Sequence, residues 1–443
     1  TAISFLILLI AGVLIYANSI HAPFQLDDDL RIKNNTAIHI KKLNLTTLKQ
    51  VVMENYSKTR LLPFLSFAVN YYFNGLSPEG YHYVNIFIHI LCAYLLFIFC
   101  RDTLFLYERV NNPKTKNFTD GFIYHPRNSA YSLIAIFAAL LWLSHPVNTS
   151  AVTYTVQRVT IMAAMFFILS LILYIKGRIA QQTASRFRGR SSFLFIASAM
   201  AGILALVSKQ NSAILPIFIL LYEWIFFQKL KPLKSAHIFF LALPLLILCT
   251  AAVKFYFNGN PLQIIISWYA QEDFTLPQRL MTQSRVIPYY ISLFFFPAPA
   301  RLNLDYDYPL SQHIIDPATG IFALTAIIAL ILLALYRPKY HLMICFTLIW
   351  FLGNLIIEST FIPLAMIYEH RIYLPLMVPC LLMSLFVYKA LQRYKWIYVA
   401  VLSLAVLLLG LESFQRNSVW QDAVGFSKDV FAKSPNKFRP QYN

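Results

Sequence analysis

The sequence predicts an all-α polytopic membrane protein, and its composition, its long apolar runs and the residues that flank them support this prediction. Of the 443 residues, 58% are hydrophobic and 13% are charged, whereas roughly a quarter of an average soluble chain is charged. Many apolar runs approach the roughly 20 residues that cross the hydrocarbon core of a bilayer. Tyr, Trp, Lys and Arg flank these runs, as expected at the level of the lipid headgroups.

Eleven apolar runs are predicted to be transmembrane helices. In chain order they span residues 3–20, 83–100, 130–144, 159–175, 193–207, 212–227, 238–253, 321–336, 342–357, 372–387 and 396–411. The first run has no charged segment and small-residue cleavage site around it, so we expect it to be retained as a helix. A shorter apolar segment, 285–297, is interpreted as a re-entrant or membrane-surface helix.

The connecting loops predict a cytoplasmic N-terminus and an extracytoplasmic C-terminus. Short loops such as 101–128 and 176–192 then lie in the cytoplasm and are rich in Lys and Arg, as the positive-inside rule requires. Fifteen of the 19 carboxylates fall on the outer side. This distribution of charge also explains the net charge of +18 without a nucleic-acid partner.

These assignments predict one transmembrane domain over residues 1–411, with large outer loops at 21–82 and 254–320. The segment 412–443 is polar and is predicted to begin an extracytoplasmic soluble region. The five cysteines lack paired spacing, and we interpret them as small core residues rather than as disulfides or metal ligands.

Three adjacent carboxylates follow the first predicted helix, at Asp27, Asp28 and Asp29. Like charges raise one another's pKa, and a raised pKa suits a general base that works near neutral pH. The alternative is a solvated acidic loop without a chemical role.

Further polar residues gather at the predicted outer ends of the helices. His82, Asn85 and His89 share one helix face because they are three and four residues apart. Arginine and lysine at helix ends can bind a lipid phosphate or can simply extend towards the headgroups. The cations of this kind are Arg60, Arg158, Lys209, Arg285, Arg301 and Arg371.

A carboxylate base and several cations on one face suit the transfer of a sugar from a polyprenyl phosphate to a hydroxyl acceptor. The base takes the proton of the acceptor, and the cations stabilise the departing phosphate. A flippase or transporter for a lipid-linked sugar is the main alternative, although no inverted repeat is found in the sequence. An enzyme that transfers a whole glycan en bloc also remains open, as does a non-enzymatic scaffold.

Seven motifs then resemble, in order, those of the transmembrane O-mannosyltransferases that target cadherins (the TMTC family) and of their bacterial relatives. They are the acidic stretch from Phe24 to Asn35, Arg60-Leu61-Leu62-Pro63, Gly80-Tyr81-His82-Tyr83-Val84-Asn85 with His89, His145-Pro146-Val147 leading to Gln157-Arg158, Ser208-Lys209-Gln210-Asn211, Arg301-Leu302-Asn303-Leu304-Asp305, and Glu369-His370-Arg371-Ile372-Tyr373-Leu374-Pro375. The resemblance covers nearly the whole chain.

The resemblance implies a GT-C glycosyltransferase fold with a catalytic Asp in the first outer loop, where Asp27 and Asp28 align best. It also implies a polyprenyl- or dolichyl-phosphate donor, most simply of mannose, and inverting transfer to Ser or Thr of an exported protein. Relatives usually carry tetratricopeptide repeats after the membrane part. The context of Gln157 and Arg158 favours a bacterial inner membrane with a periplasmic active site.

The hypothesis assigns a role to each candidate residue. Asp27 or Asp28 is the general base, and His82 orients the acceptor or the base. The candidates for binding the donor phosphate are Arg158, Lys209, Arg285 and Arg371, with Glu369 and His370 holding Arg371 in an ion-paired cluster. No cofactor is expected, and Asp27 and Asp29 are the ligands if the reaction needs a divalent metal.

Overall fold

The protein is all-α in the part of the chain that its structure, a computed structural model, describes. That part comprises residues 2–55, 57, 59–111, 129–183, 188–231, 261–313, 317–336 and 341–436. Among these residues, six helices are long and apolar enough to cross a membrane, and the bent pair Ser129–Leu143 and Pro146–Val152 adds a seventh if it counts as one span. The predicted class of all-α membrane protein is confirmed for the described residues.

Sixteen α-helices lie within the described ranges. In chain order they are α1 (Ala2–Tyr16), α2 (Leu45–Glu54), α3 (Leu61–Asn74), α4 (Pro78–Asn111), α5 (Ser129–Leu143), α6 (Thr149–Val152), α7 (Arg158–Thr183), α8 (Arg188–Leu206), α9 (Leu215–Tyr222), α10 (Pro261–Tyr269), α11 (Leu276–Phe295), α12 (Thr319–Leu335), α13 (Leu342–Leu355), α14 (Met377–Ala390), α15 (Lys395–Ser418) and α16 (Ala423–Lys433). Short 3₁₀ and π turns connect several of them.

Ten of the eleven predicted spans coincide with observed helices, and the predicted span 238–253 lies outside the described residues. The helices α12, α13 and α14 have 17, 14 and 14 residues, fewer than the roughly 20 that a straight crossing needs. The number of spans and the orientation of the termini therefore stay predictions.

The segment predicted as a short helix at 285–297 belongs to the 20-residue helix α11, which begins earlier, at Leu276. Thr275 and Gln278 form a reciprocal capping box that fixes this start, because each side chain accepts the backbone N–H of the other. Pro288 lies inside the helix. Capping chemistry, rather than hydrophobicity, therefore sets the first turn of α11.

The predicted first outer loop, 21–82, is a folded layer that contains α2 and α3. Asn44 caps α2 by accepting the backbone N–H of Thr47 at 2.9 Å. The layer has its own small core, made by the buried side chains of Ile32, Ile38, Val51, Phe64, Phe67 and Tyr81. The segment that carries the acidic triplet therefore packs against this small core and is not a free loop.

The described part of the tail packs against the helix bundle. α15 continues to Ser418, beyond the predicted end at residue 411, and α16 follows it. Arg416 pairs with Asp429 at 2.7 Å, and the Lys433 ammonium donates to the carbonyl oxygen of Leu302 at 2.9 Å. As far as α16 the segment is thus attached to the bundle, and any repeats beyond it remain a prediction.

Several connections between the helices meet at one end of the bundle. Hydrogen bonds tie these connections together, for example from Asn417 to the carbonyl oxygen of Ile15 and from Ser413 to that of Ser144. We call this end the site end. It comprises residues 17–30, 78–82, 144–158, 207–211, 356–372 and 412–421.

Gly12 provides a test of how α1 packs on α4. A Cβ atom at Gly12 would lie 2.5 Å from Cγ1 of Ile90, whereas one at Gly410 on α15 would lie 3.4 Å from Ile15. We expect Gly12→Ala to lower the free energy of unfolding by about 1–3 kcal/mol through overpacking. Gly410→Ala serves as the matched control with little effect, and equal melting temperatures of the two variants in detergent would contradict this packing.

Candidate functional site

The acidic triplet is divided by the structure into one buried and two accessible carboxylates. Asp28 is 1% exposed, and its carboxylate accepts the backbone N–H of Val156 at 2.6 Å and that of Gln25 at 3.2 Å. Burial raises the pKa of Asp28 to about 8, although these hydrogen bonds act in the opposite direction. Asp28 therefore anchors the loop, and its carboxyl group is enclosed by the protein.

Asp27 is the carboxylate that is left available. Its backbone N–H donates to the hydroxyl of Tyr154 at 3.0 Å, while its partly exposed side chain has no hydrogen-bond partner among the described residues. Asp29 instead forms an exposed ion pair with Lys33 at 3.3 Å. Of the two Asp residues predicted as the base, the geometry favours Asp27.

His82 binds the backbone of the segment that leads into the acidic loop. Its Nε2 lies 2.8 Å from the carbonyl oxygen of Ala22 and donates to it, and its buried Nδ1 has no partner in the described part of the chain. His82 is 1% exposed, so it is placed to fix the entry of the loop rather than to contact an acceptor. His89, deeper in the same helix, lies between the hydroxyl of Tyr373 and the carbonyl oxygen of Leu143 as a fully paired core residue.

Arg158, predicted to bind the donor phosphate, is hydrogen-bonded within the protein. The side chain is fully buried, and its guanidinium donates to Asn85 at 2.7 Å, to the carbonyl oxygen of Tyr81 at 3.0 Å and, more weakly, to Ser66. It also lies over the ring of Phe67. Each of its three nitrogens is engaged by the protein, which leaves Arg158 poorly placed to bind a phosphate.

Arg285, the second predicted phosphate ligand, lies apart from the other cations. It donates to the carbonyl oxygen of Pro309 at 2.9 Å and to the hydroxyl of Thr319 at 3.1 Å, with its guanidinium over the ring of Tyr308. These contacts attach the segment before α12 to α11. Arg301 plays a similar role, since it donates to the last carbonyl oxygens of α11.

Lys209 is the centre of a cation cluster, whose other members are Arg60 and Arg371 and whose counter-ion is Glu358. Its ammonium pairs with Glu358 at 2.8 Å, and both side chains are less than 10% exposed. Burial lowers the pKa of Lys209, and the charges of Arg60 and Arg371 lower it further. The pKa of Glu358 lies below its ordinary value, because the charges of Lys209 and Arg371 outweigh the effect of burial.

His370 faces the same cluster. Its pKa lies well below the ordinary value, mainly because of burial, with contributions from the positive charges of Lys209, Arg371 and Arg60. Its buried Nδ1 has no hydrogen-bond partner within the described ranges, and its ring stacks on Tyr368 at 5.0 Å. The imidazole is therefore neutral near pH 7 and offers a hydrogen bond within a cationic surrounding.

The expected ion pair between Glu369 and Arg371 does not form. Glu369 accepts from the hydroxyl of Tyr306 at 2.9 Å, while Arg371 donates to the carbonyl oxygen of Met366 at 3.1 Å. The two side chains leave the 3₁₀ turn Glu369–Ile372 in different directions. Arg371 thus joins the Lys209 cluster, whereas Glu369 lies on the side of Arg416, whose charge acts on it.

Sequence reasoning missed three residues that shape the site. Glu358 follows the last turn of α13 and is the counter-ion of the cluster. Arg279 is fully buried and donates to the carbonyl oxygens of Glu358 at 2.8 Å and Thr360 at 2.9 Å, which fixes the chain around Glu358. Tyr154 binds the acidic loop. A lone carboxylate at a predicted helix end was the available signal for Glu358.

No group of three or more His, Cys, Asp or Glu side chains in the described ranges is arranged to hold a metal ion. The pair Asp27 and Asp29 therefore stays a prediction for the case that the reaction needs a metal. The acidic loop and the cation cluster are the two groups of polar side chains at the site end that could take part in a reaction.

Fold and site together define an α-helical membrane protein with an acidic loop and a buried cation cluster at one end of its helix bundle. Known proteins with similar sequences are named protein O-mannosyl-transferases. Tmtc3 of Drosophila melanogaster is 24% identical over 95% of this chain and 50% of its own length. Tmtc2 of Xenopus laevis is 29% identical over 50% of the chain, and human TMTC4 is 26% identical over 45%.

These similarities confirm the resemblance to the TMTC protein O-mannosyltransferases that the motifs indicated. The chain spans about half the length of the fly protein and about a quarter of the frog and human proteins. No family model matches the chain, and no solved structure matches it.

The buried carboxyl of Asp28 predicts a particular dependence of stability on pH. Its contribution is complete below the unfolded pKa of about 4 and is lost as the pH rises towards the folded value of about 8. The Asp28→Asn variant lacks this titration. The melting temperature of the wild type relative to the variant should therefore fall between about pH 5 and about pH 8, and a constant difference would contradict the burial of Asp28.

Proposed function

We propose that this chain is the membrane part of a GT-C glycosyltransferase that moves a sugar from a polyprenyl-phosphate donor to a hydroxyl of an exported protein. Mannose is the first sugar to test, because the similar proteins are named O-mannosyl-transferases. The observation that carries the proposal is that an available carboxylate, Asp27, and the cation cluster around Lys209 lie at the same end of the bundle.

The proposed reaction is a single displacement. The Asp27 carboxylate takes the proton of a Ser or Thr hydroxyl while the hydroxyl oxygen attacks C1 of the sugar. The bond between C1 and the phosphate oxygen breaks, and the configuration at C1 inverts. Asp28 keeps its place beneath the loop throughout, so that Asp27 is the residue that exchanges the proton.

The cation cluster suits the phosphate that leaves. Arg60, Lys209 and Arg371 supply three positive charges and Glu358 one negative charge, which leaves a surplus of two. The donor is a phosphodiester with one negative charge, and a phosphate monoester carries about −1.5 to −2 near pH 7. The cluster therefore favours the separated charge of the transition state over the bound donor, as catalysis requires.

An apolar cavity between the helices is a candidate site for the isoprenoid chain of a lipid-linked donor. It has a volume of about 350 Å³ and lies between α11, α12, α13 and α14. Phe351 and Leu376 line it, and these residues lie a few positions from Glu358 and Arg371 along the chain. A donor whose phosphate meets the cluster can place the first part of its isoprenoid chain in this cavity.

The localisation follows from the same proposal. Fifteen of the 19 carboxylates lie in the segments predicted on the same side of the membrane as the site end, whereas the short loops on the other side are basic, which favours an extracytoplasmic site. The context of Gln157 and Arg158 favours a bacterial inner membrane, in which the site would face the periplasm. A protein acceptor would approach from that side.

Replacement of Asp27 tests the identity of the base. We expect Asp27→Asn to lower kcat by about 10²- to 10⁴-fold, the usual contribution of a general base, with little change in the KM for the donor. The assay supplies purified protein with polyprenyl-phosphate-mannose and Ser/Thr peptides. Asp29→Asn, in the same loop but exposed and paired with Lys33, is the control and should keep its activity.

Full transfer by the Asp27→Asn variant would exclude Asp27 as the base. Movement of the donor across liposome membranes, with no transfer by the wild type to any acceptor, would instead favour a flippase. These two outcomes separate an error in the residue from an error in the class of protein.

Arg60 tests the phosphate site. It is only partly buried, and its charge acts on Lys209, Glu358 and His370. Since a hydrogen bond to a charged group contributes about 1.5–3 kcal/mol, we expect Arg60→Gln to weaken donor binding by about 10- to 100-fold without lowering the melting temperature. Lys42→Gln, an exposed change in the same loop, is the control, and equal donor affinities for both variants would contradict the assignment.

A further inference from the structure

Leu26 adopts a backbone conformation that is unusual for its residue type. Its φ is +48°, in the left-handed region, which costs a residue with a Cβ roughly 1–2 kcal/mol. The other non-glycine residues with positive φ in the described ranges, Lys229 and Leu230, lie after the π turn at the opposite end of the bundle. Such strain persists only where the surroundings hold it, and it is frequent at functional sites.

Two sets of contacts hold the strained residue. The residues after it are bound through their polar groups, since the Asp27 N–H donates to Tyr154 and Asp28 accepts from Val156. The side chain of Leu26 itself packs against a small apolar cluster. The buried members of that cluster are Ala22, Tyr154, Val156, Leu304, Trp420, Phe426 and Val430.

Three of these buried residues come from the C-terminal part of the chain. Trp420 is 1% exposed, and its ring lies 5.6 Å from that of Tyr154 and 4.6 Å from that of Phe426. The ion pair of Arg416 with Asp429 fixes the turn between α15 and α16 that carries Trp420. The indole ring of Trp420 therefore packs against Tyr154, whose hydroxyl accepts the Asp27 N–H.

We propose that Trp420 is a positioning residue, which acts through Tyr154 and Leu26 to hold the acidic loop in the conformation that presents Asp27. The contact of Trp420 with Tyr154 keeps the phenol hydroxyl under the Asp27 N–H. The packing of Leu26 on the same cluster maintains the left-handed turn, after which Asp27 is partly exposed and Asp28 is buried. The C-terminal segment 416–430 is thus part of the site and more than an extension of the last long helix.

The effect of Trp420 on catalysis by Asp27 rests on the proposed transferase activity, whereas its effect on the conformation of the acidic loop does not. Two measurements on the full chain in detergent or nanodiscs therefore test it. The first is hydrogen exchange of the amides of Asp27 and Val156, which donate the two hydrogen bonds that seat the loop. The second is the division of any loss of transfer activity between kcat and the KM for the donor.

Trp420→Leu should speed the exchange of these two amides at least about tenfold while exchange in α4 and α7 stays unchanged. The same variant should lower kcat at least about tenfold with an unchanged KM for the donor, and Trp420→Phe should restore most of both. Phe431→Leu, a change at a large apolar residue on α16 that is 46% exposed, is the matched control and should alter neither.

Tyr154→Phe keeps the ring and removes only the hydroxyl. This variant provides a second test if Trp420→Leu does not fold. It should speed the exchange of the Asp27 amide selectively. Unchanged exchange of the Asp27 amide in a folded Trp420→Leu variant would overturn the proposal, as would a loss confined to the KM for the donor, and if that variant does not fold, unchanged exchange in Tyr154→Phe would overturn it. If the wild type shows no transfer activity, the proposed function fails, and the exchange measurement still decides whether Trp420 seats the loop.

Discussion

The contact of the buried Asp28 carboxylate with the backbone N–H of Val156 is the interaction on which the site end depends. It joins the loop after α1 to the turn before α7, two segments that are 128 residues apart in the sequence. A buried carboxyl group is costly unless it is hydrogen-bonded, and the two backbone donors meet this requirement. Because Asp28 points inward, its neighbour Asp27 faces outward, and the acidic loop presents one available carboxylate.

The cations of the site end fall into two groups, which differ in whether the protein itself supplies hydrogen-bond acceptors for them. Arg158 and Arg279 are fully buried and donate to carbonyl and amide oxygens of the protein, so they hold segments together. Lys209 has one carboxylate partner, while Arg60 and Arg371 add charge around it that this carboxylate does not neutralise. An anion that enters the site end would be drawn to the second group. The distinction between structural and reactive cations thus depends on which acceptors surround each one.

Much of the fold could be predicted from the sequence, because apolar runs of membrane length and basic loops are local signals. The acidic triplet and the cations could also be identified, since they stand out from the apolar sequence around them. The roles of the individual residues could not be predicted, because they depend on contacts between distant parts of the sequence. Examples are the contacts of Asp28 with Val156 and of Arg158 with Asn85. Trp420 was assigned to a separate region for the same reason, as its partner Tyr154 is distant in the sequence.

The structure of the protein with a bound polyprenyl-phosphate sugar is the most direct test of the proposed site. Determined by electron cryomicroscopy, it would locate the phosphate relative to the two groups of cations. We expect phosphate oxygens within about 3 Å of nitrogen atoms of at least two of Arg60, Lys209 and Arg371, with C1 of the sugar towards Asp27. A phosphate bound at Arg285 or at the opposite, basic end of the bundle would contradict this assignment.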